Sequence, residues 1–180
     1  WARDVEKKFR LNLKKKYKID EFKSLFTFYY SGFNIRSTDF NASLGLEQIK
    51  KINKISKIRE KNYKRYSRNL NSFWCQKSKL KLVSSFGYAT FVKNRLEVFR
   101  FLRSKKIQSR PLICGNMGQQ PFIKRINKYN LNLKNAKFVD QYGIYLPNHT
   151  NLSLKDVDFI SSQFLKVAKP ITFNKSNVKQ

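Results

Sequence analysis

Residues 32–46 read Gly-Phe-Asn-Ile-Arg-Ser-Thr-Asp-Phe-Asn-Ala-Ser-Leu-Gly-Leu and come just after the aromatic run Leu25–Tyr30. The aromatic run is typical of a buried extended segment. Ser37 or Thr38 can cap a helix that follows. An amide, a guanidinium and free backbone N–H groups just ahead of a helix start can together hold an anion such as a phosphate. The stretch therefore predicts a turn into a long helix, with a binding site at the helix start.

This stretch resembles the Gly-(Tyr/Phe)-Asn-x-Arg-x-Thr-(Asp/Glu)-x-x-Ala-x-x-Gly-Leu signature of the DegT/DnrJ/StrS family of sugar aminotransferases. Those enzymes use pyridoxal phosphate and act on nucleotide-linked keto-sugars. Further segments resemble the family in the same order, up to about Val167: Gln48–Lys51, Arg59–Tyr66, Arg110-Pro111 with Gly115-Asn116, and Leu146–Ser153.

Hydrophobic spacing predicts an α+β fold of a few strands covered by helices. Ser153 and Asp156 resemble a capping box at the start of the last helix. The predicted elements are a helix over about 3–18, one helix from Asp39 to Leu70, strands at Phe86–Val92, Ile107–Ile113 and Ile144–Leu146, and helices at Arg95–Lys105, about Ala136–Gln141 and after Ser153, the last with the stripe Val157, Ile160, Phe164 and Val167.

The resemblance sharpens this fold to the C-terminal small domain of a fold-type I pyridoxal-phosphate enzyme, preceded by the last segment of its large domain. It implies four parts. Residues 1–37 end the large domain, 38–71 form the long connector helix, 72–169 form the small domain, and 170–180 form a disordered tail.

No residue of this chain is nominated as catalytic. In the family, the catalytic lysine, the aspartate that pairs with the pyridine nitrogen and the aromatic that stacks on the ring all lie upstream of the position that matches Trp1. We therefore expect the chain to be the downstream part of a longer protein and the isolated 180 residues to be inactive. The cofactor, pyridoxal or pyridoxamine 5′-phosphate, would bind only together with the missing half.

The resemblance implies supporting roles for residues near the signature. Asn34 would reach the cofactor phosphate of the neighbouring subunit in a homodimer, or it closes an Asx turn. Arg36 would pair with the substrate diphosphate or with a surface carboxylate. Phe33 and Tyr30 would line the sugar pocket, although aromatic residues in such a run are more often part of a core.

A second group lies in the Arg-Pro-x-x-x-Gly-Asn stretch. It resembles the branch of the family that contains the keto-deoxysugar 3-dehydratases, in which this loop borders the active site. Arg110 and Asn116 would contact substrate there, with Gly115 permitting close backbone approach. The alternative is an ordinary turn. His149, the single histidine, is interpreted as a packing or turn residue rather than a general base.

The missing upstream residue decides the reaction. With a lysine there, such an enzyme transfers an amino group to the keto-sugar; with a histidine, the sugar adduct loses its 3-hydroxyl. The segment before Gly32 and the Arg-Pro-x-x-x-Gly-Asn loop favour the dehydratase branch. The expected product is a deoxysugar for surface polysaccharide.

Composition leaves two other classes open, a basic nucleic-acid-binding module and a non-catalytic gene remnant. The chain carries 39 Lys+Arg against 11 Asp+Glu, a net charge of +28. These cations are spread along the chain among Asn and Ile, and no nucleic-acid motif accompanies them, which favours a solvated surface over a nucleic-acid site.

Cys75 and Cys114 are too far apart in the sequence to form a metal-binding or redox pair. With no 18-residue apolar run and no signal sequence, we expect a cytoplasmic protein without a membrane partner or metal.

Overall fold

The computed structural model describes residues 7–31, 38–113, 115–126 and 133–172. Within these ranges, helices dominate and one small sheet is present. The helices are α1 Lys7–Lys16, α2 Asp39–Ile49, α3 Ile52–Asn69, α4 Arg95–Ser104, α5 Pro121–Ile126, α6 Lys134–Tyr142 and α7 Leu154–Val167; the strands are β1 Gly87–Phe91 and β2 Gly143–Pro147; 3₁₀ turns span Lys23–Phe26 and Met117–Gln119.

The chain forms two compact units. Unit 1 comprises residues 1–52 and 110–141, and unit 2 comprises residues 53–109 and 142–180. The four-part division given above refers to domains of a longer enzyme and stays a prediction.

Unit 2 is built on the antiparallel pair β1–β2, with Gly87 opposite Pro147 and Phe91 opposite Gly143. Helices α4 and α7 pack together. The core consists of apolar and aromatic side chains that are at most 1% exposed: Tyr66, Leu70, Tyr88, Val92, Val98, Leu102, Ile144, Leu146, Val157 and Phe164. Burial of this apolar surface is what holds the short sheet together, because a two-stranded ribbon alone is marginally stable.

The predicted strand Ile107–Ile113 is wrong. That segment holds a single β-bridge residue, Arg110, and is otherwise irregular, and β1 pairs instead with Gly143–Pro147. Lys106 has a positive φ of 59°, which ends α4 in a turn. Pro111 has no N–H to donate to a sheet. The expected β-α-β unit is therefore a strand and an α-helix followed by an irregular loop.

The predicted single helix from Asp39 to Leu70 is interrupted at Lys50 and Lys51. The N–H of Lys51 donates to the carbonyl oxygen of Gln48, three residues back, at 3.0 Å. This is the spacing of a 3₁₀ turn, so the α-helical hydrogen bonding is interrupted here. Helix α2 buries no residue, and its large apolar side chains are more than half exposed: Phe40, Leu44, Leu46 and Ile49. The apolar stripe becomes buried only in the second half of α3, at Tyr66, and just beyond it at Leu70.

The aromatic run Leu25–Tyr30 in unit 1 does not form a strand, because it begins inside the 3₁₀ turn Lys23–Phe26. Asp20 Oδ1 accepts the Lys23 N–H at 2.7 Å, and the Asp20 carbonyl accepts the Ser24 N–H at 3.0 Å. These bonds start a turn before an extended conformation can begin. The chain then extends, with Thr27 and Tyr29 buried and Tyr30 exposed.

Two helix starts are confirmed. The Thr38 side chain accepts the Asn41 N–H at the start of α2. At the start of α7, Ser153 and Asp156 form the predicted capping box. Within the described ranges, no helix is long and apolar enough to cross a bilayer.

The predicted apolar stripe of α7 faces the core of unit 2. Its first three members, Val157, Ile160 and Phe164, are buried, and the fourth, Val167, is half-buried. The stripe is therefore less buried at the C-terminal end of the helix.

Candidate functional site

A cavity of about 200 Å³ lies within unit 1, between the 3₁₀ turn Lys23–Phe26, the loop that follows Arg110, and α6. Among the described residues that line it, three are lysines, one is a carboxylate and several are amides. The charged lining residues are Lys18, Lys23, Lys124 and Asp140. The cavity therefore carries an excess of positive charge.

Asn116 is the polar residue that distinguishes this cavity. It lines the wall and is only 2% exposed. Its Oδ1 accepts the Gly118 N–H at 3.0 Å, while its Nδ2 is buried and has no hydrogen-bond partner. Because Gly118 N–H can only donate, the atom that faces it must be the amide oxygen. The unpaired atom is therefore the NH₂ donor.

Gly115 lets the loop approach α6 closely. Its φ is +58°, and a Cβ at this position would overlap Asp140 Oδ1 and lie 2.9 Å from Asp140 Cγ. Asp140 Oδ2 in turn accepts a hydrogen bond from Lys23 Nζ at 2.5 Å. The absence of a side chain at Gly115 thus permits the ion pair that forms one wall of the cavity, whereas its predicted role, close approach of the backbone to a substrate, stays a prediction.

Gln120 fixes the opposite wall. Its Oε1 accepts the Phe28 N–H at 3.0 Å, and its Nε2 donates to the Phe26 carbonyl at 3.1 Å. These bonds join the loop before α5 to the 26–28 segment, 92 to 94 residues away in sequence. Sequence reasoning missed Gln120, because a buried amide that bonds to distant backbone leaves no local pattern.

The predicted site residues fall into four groups, of which the last, Tyr30, lies in a separate aromatic cluster. Asn116 lines the cavity, whereas Arg110 is exposed and is not among the lining residues, although its neighbour Pro111 is. Phe33, Asn34 and Arg36 lie outside the described residues, so their predicted roles stay predictions. Cys114 is also outside the described ranges.

Tyr30 takes part in a different cluster of unit 1. Its ring stacks on Phe9 with centroids 6.5 Å apart, and the Arg125 guanidinium lies 4.4 Å from its centroid. Arg125 also donates to Tyr17 Oη, from Nε at 3.1 Å and from Nη2 at 2.9 Å. Hydrogen bonding to Tyr17 and then to Tyr30 raises the pKa of Arg125. One ring face of Tyr30 is thus engaged by a cation within the chain.

Other candidate residues have structural roles. His149 is exposed in unit 2, and its carbonyl accepts the Leu152 N–H at 3.2 Å, in keeping with a turn residue. Cys75 is a half-buried free thiol. Among the described residues, no group of three or more His, Cys, Asp or Glu is arranged to hold a metal ion.

The mixed helix and small-sheet architecture matches part of solved sugar dehydratases and sugar aminotransferases, and comparison with known proteins identifies the family. The profile of the DegT/DnrJ/EryC1/StrS aminotransferase family matches residues 5–165. The chain belongs to this family.

The relatives include sugar 3-dehydratases. The chain is 24% identical over 169 residues to GDP-4-keto-6-deoxy-D-mannose 3-dehydratase of Escherichia coli O55:H7, a match that covers 89% of this chain and 43% of the relative. It resembles a solved E. coli GDP-4-keto-6-deoxy-D-mannose-3-dehydratase with bound hydrated PLP at a TM-score of 0.63 and 24% identity, covering 81% of this chain and 40% of that one.

A third comparison is with a solved structure that contains GDP-perosamine. A solved GDP-4-keto-6-deoxymannose-3-dehydratase variant with bound GDP-perosamine matches at a TM-score of 0.63 and 24% identity, over 91% of this chain and 44% of that one. The chain thus spans less than half the length of each of these relatives.

Proposed function

We propose that this chain is the C-terminal portion of an enzyme that uses pyridoxal or pyridoxamine 5′-phosphate and acts on a nucleotide-linked 4-keto-6-deoxy sugar in surface polysaccharide synthesis. The observation that carries the proposal is the match of the family profile over residues 5–165. The match to a GDP-sugar 3-dehydratase over 89% of the chain favours 3-dehydration over amino transfer.

The described residues do not form a complete cofactor site. In either branch of the family, the pyridine nitrogen of the cofactor needs a charged partner such as a carboxylate. The cavity offers one carboxylate, Asp140, which is already ion-paired with Lys23. We therefore assign no chemical step to this chain, and the isolated chain is expected to be inactive.

The contribution of this chain is binding and orientation. Asn34 would donate to the cofactor phosphate across a homodimer interface, and Arg36 would pair with the substrate diphosphate. Phe33 and Tyr30 would border the sugar, and Arg110 would contact substrate from the Arg-Pro-x-x-x-Gly-Asn loop. Asn116 has the best structural support of this set, because the residue lines the cavity and its buried amide NH₂ has no hydrogen-bond partner.

The coding DNA upstream of Trp1 gives the first test. If an open frame encodes a cofactor-binding half, the encoded protein should be purified and incubated with GDP-4-keto-6-deoxymannose, glutamate and cofactor. We expect a 3-deoxy product and a histidine at the position of the family's lysine. An amino-sugar product and a lysine would instead assign the protein to the aminotransferase branch. A closed frame would overturn the proposal in favour of a gene remnant.

The 180-residue chain should be assayed in parallel under the same conditions. We expect no turnover, since no residue of the chain is nominated for Schiff-base chemistry. Turnover by this chain alone would contradict the proposed dependence on an upstream half.

A further inference from the structure

We propose that the cavity lined by Asn116, Lys18 and Lys124 binds a phosphoryl group, with the Asn116 amide as its buried donor. The identification of that group as the diphosphate of a nucleotide sugar rests on the proposed function. The binding of a phosphoryl anion itself rests on this chain's own residues.

The first support is the unpaired donor. Buried polar groups in folded proteins nearly always have a hydrogen-bond partner, because an unpaired one loses its bonds to water without compensation. Asn116 Nδ2 is buried and lacks a partner, although Oδ1 of the same amide is held by Gly118 N–H. That bond fixes the side-chain orientation, so an acceptor atom of a ligand in the cavity would complete the site.

The second support is the charge of the lining. Asp140 and Lys23 neutralise each other through their ion pair. Lys18 and Lys124 remain as positive charges on the same cavity. A ligand that only accepts hydrogen bonds and carries negative charge matches both the ammonium groups and the amide NH₂. A phosphoryl group has these properties, and a neutral sugar hydroxyl does not.

The third support is the fixed geometry of the walls. Lys18 adopts a left-handed φ of 51° at the end of α1, where Ile19 N–H bonds to the Lys14 carbonyl at 3.0 Å. Gln120 joins the loop to the 26–28 segment by two hydrogen bonds. A site whose walls are already held loses less conformational freedom when it binds a ligand.

The test is calorimetric titration of the 180-residue chain with sodium pyrophosphate at 0.15 M ionic strength, with acetate as a singly charged comparison. The central variant is Asn116→Asp, which keeps the acceptor for Gly118 N–H but replaces the NH₂ donor with an anionic oxygen. We expect pyrophosphate to bind the wild type at least about tenfold more tightly than acetate, and Asn116→Asp to weaken pyrophosphate binding at least about tenfold.

Asn71→Asp is the matched control, because Asn71 is exposed in unit 2 and the substitution changes net charge by the same amount. It should leave pyrophosphate binding within about twofold of wild type. Lys124→Gln gives a second variant at an exposed position that is expected to fold, and it should weaken pyrophosphate binding by about threefold to tenfold. Equal losses in Asn116→Asp and Asn71→Asp, or no pyrophosphate binding by the wild type, would overturn the proposal.

A second titration separates this inference from the proposed function. GDP-mannose carries the same diphosphate in a nucleotide sugar, so its binding should fall in Asn116→Asp by a factor similar to that of pyrophosphate. If pyrophosphate binding depends on Asn116 and GDP-mannose binding does not, the phosphoryl site stands and its assignment to the nucleotide-sugar diphosphate is overturned. If the full-length protein shows no activity on GDP-4-keto-6-deoxymannose while the 180-residue chain still binds pyrophosphate, only the proposed function is overturned.

Discussion

The guanidinium of Arg65 and the carboxylate of Asp158 form two parallel hydrogen bonds, Nε to Oδ1 and Nη2 to Oδ2, each 2.7 Å long. Asn69 Nδ2 donates a third bond to Oδ1 at 2.7 Å. The pair joins α3 to α7 inside unit 2. Hydrogen bonds from Arg65 and then from Asn69 lower the pKa of Asp158 to about 2.

The first prediction concerns acid stability. Because the folded pKa of Asp158 is lowered, its contribution to stability is complete above the ordinary pKa of 3.8 and is lost as the pH falls through about 2. Asp158→Asn should therefore lower the urea midpoint at pH 7 and reduce the fall in stability between pH 4 and pH 2. Urea unfolding at pH 7, 4 and 2.5 measures both effects.

A double-mutant cycle provides the control for Asp158. Arg65→Gln should lower the urea midpoint less in the Asp158→Asn background than in the wild type, because the partner is already altered. Additive effects of the two substitutions would show that the pair contributes no coupling energy.

The second prediction concerns Gly115. Its φ of +58° and the closeness of Asp140, whose Cγ would lie 2.9 Å from a Cβ at this position, leave no room for a side chain. Gly115→Ala should reduce the free energy of unfolding by about 1 to 3 kcal/mol, since it combines backbone strain with displacement of the Asp140 carboxylate. Gly45→Ala is the matched control in unit 1, because a Cβ there meets nothing within 4 Å and the residue is helical. It should be neutral or stabilising by up to about 1 kcal/mol. Equal effects of the two substitutions would contradict the close approach of Gly115 to Asp140.

The third prediction concerns Gln120. Gln120→Leu keeps a side chain of similar size but removes both bonds, to the Phe28 N–H and the Phe26 carbonyl. It should reduce the free energy of unfolding by about 2 to 4 kcal/mol, because backbone groups in a part-buried region lose their partner. Hydrogen exchange at the Phe28 amide should accelerate. Gln119→Leu, at an exposed neighbouring position, should change stability by about 0.5 kcal/mol or less. Unchanged hydrogen exchange at the Phe28 amide in Gln120→Leu would contradict the role of Gln120 in holding the 26–28 segment.

Local signals in the sequence predicted the helices better than the sheet. Thr38 and the pair Ser153–Asp156 act within three residues of their own position, so capping could be inferred directly. The partner of β1 lies more than 50 residues away at Gly143–Pro147. Alternation alone could not choose it over 107–113, because both segments are apolar and short.

The candidate site was predictable only in part. The Gly-Asn pair in the loop pointed to Gly115 and Asn116, and both lie at the cavity. The contributions of Lys23, Asp140 and Gln120 depend on contacts between segments about 90 to 120 residues apart. No spacing rule covers such contacts, because they form only when the 3₁₀ turn, the loop and α6 have packed.

The last prediction concerns Tyr66, whose side chain is fully buried and stacks on Tyr88 with centroids 5.1 Å apart. Its hydroxyl is buried without a hydrogen-bond partner. Tyr66→Phe should therefore be neutral or stabilising by up to about 1 kcal/mol, because an unpaired polar group is removed and the ring packing stays. Tyr66→Ala should cost about 3 to 5 kcal/mol through the cavity that it leaves.

Burial also raises the pKa of Tyr66 above its ordinary value of 10.0. The contribution of its neutral hydroxyl to stability is therefore complete below pH 10 and falls as the pH rises further. That alkaline fall should be smaller in Tyr66→Phe when urea midpoints are compared at pH 8 and pH 11. A loss of more than about 1 kcal/mol in Tyr66→Phe at pH 8 would mean that the hydroxyl has a partner in the folded protein.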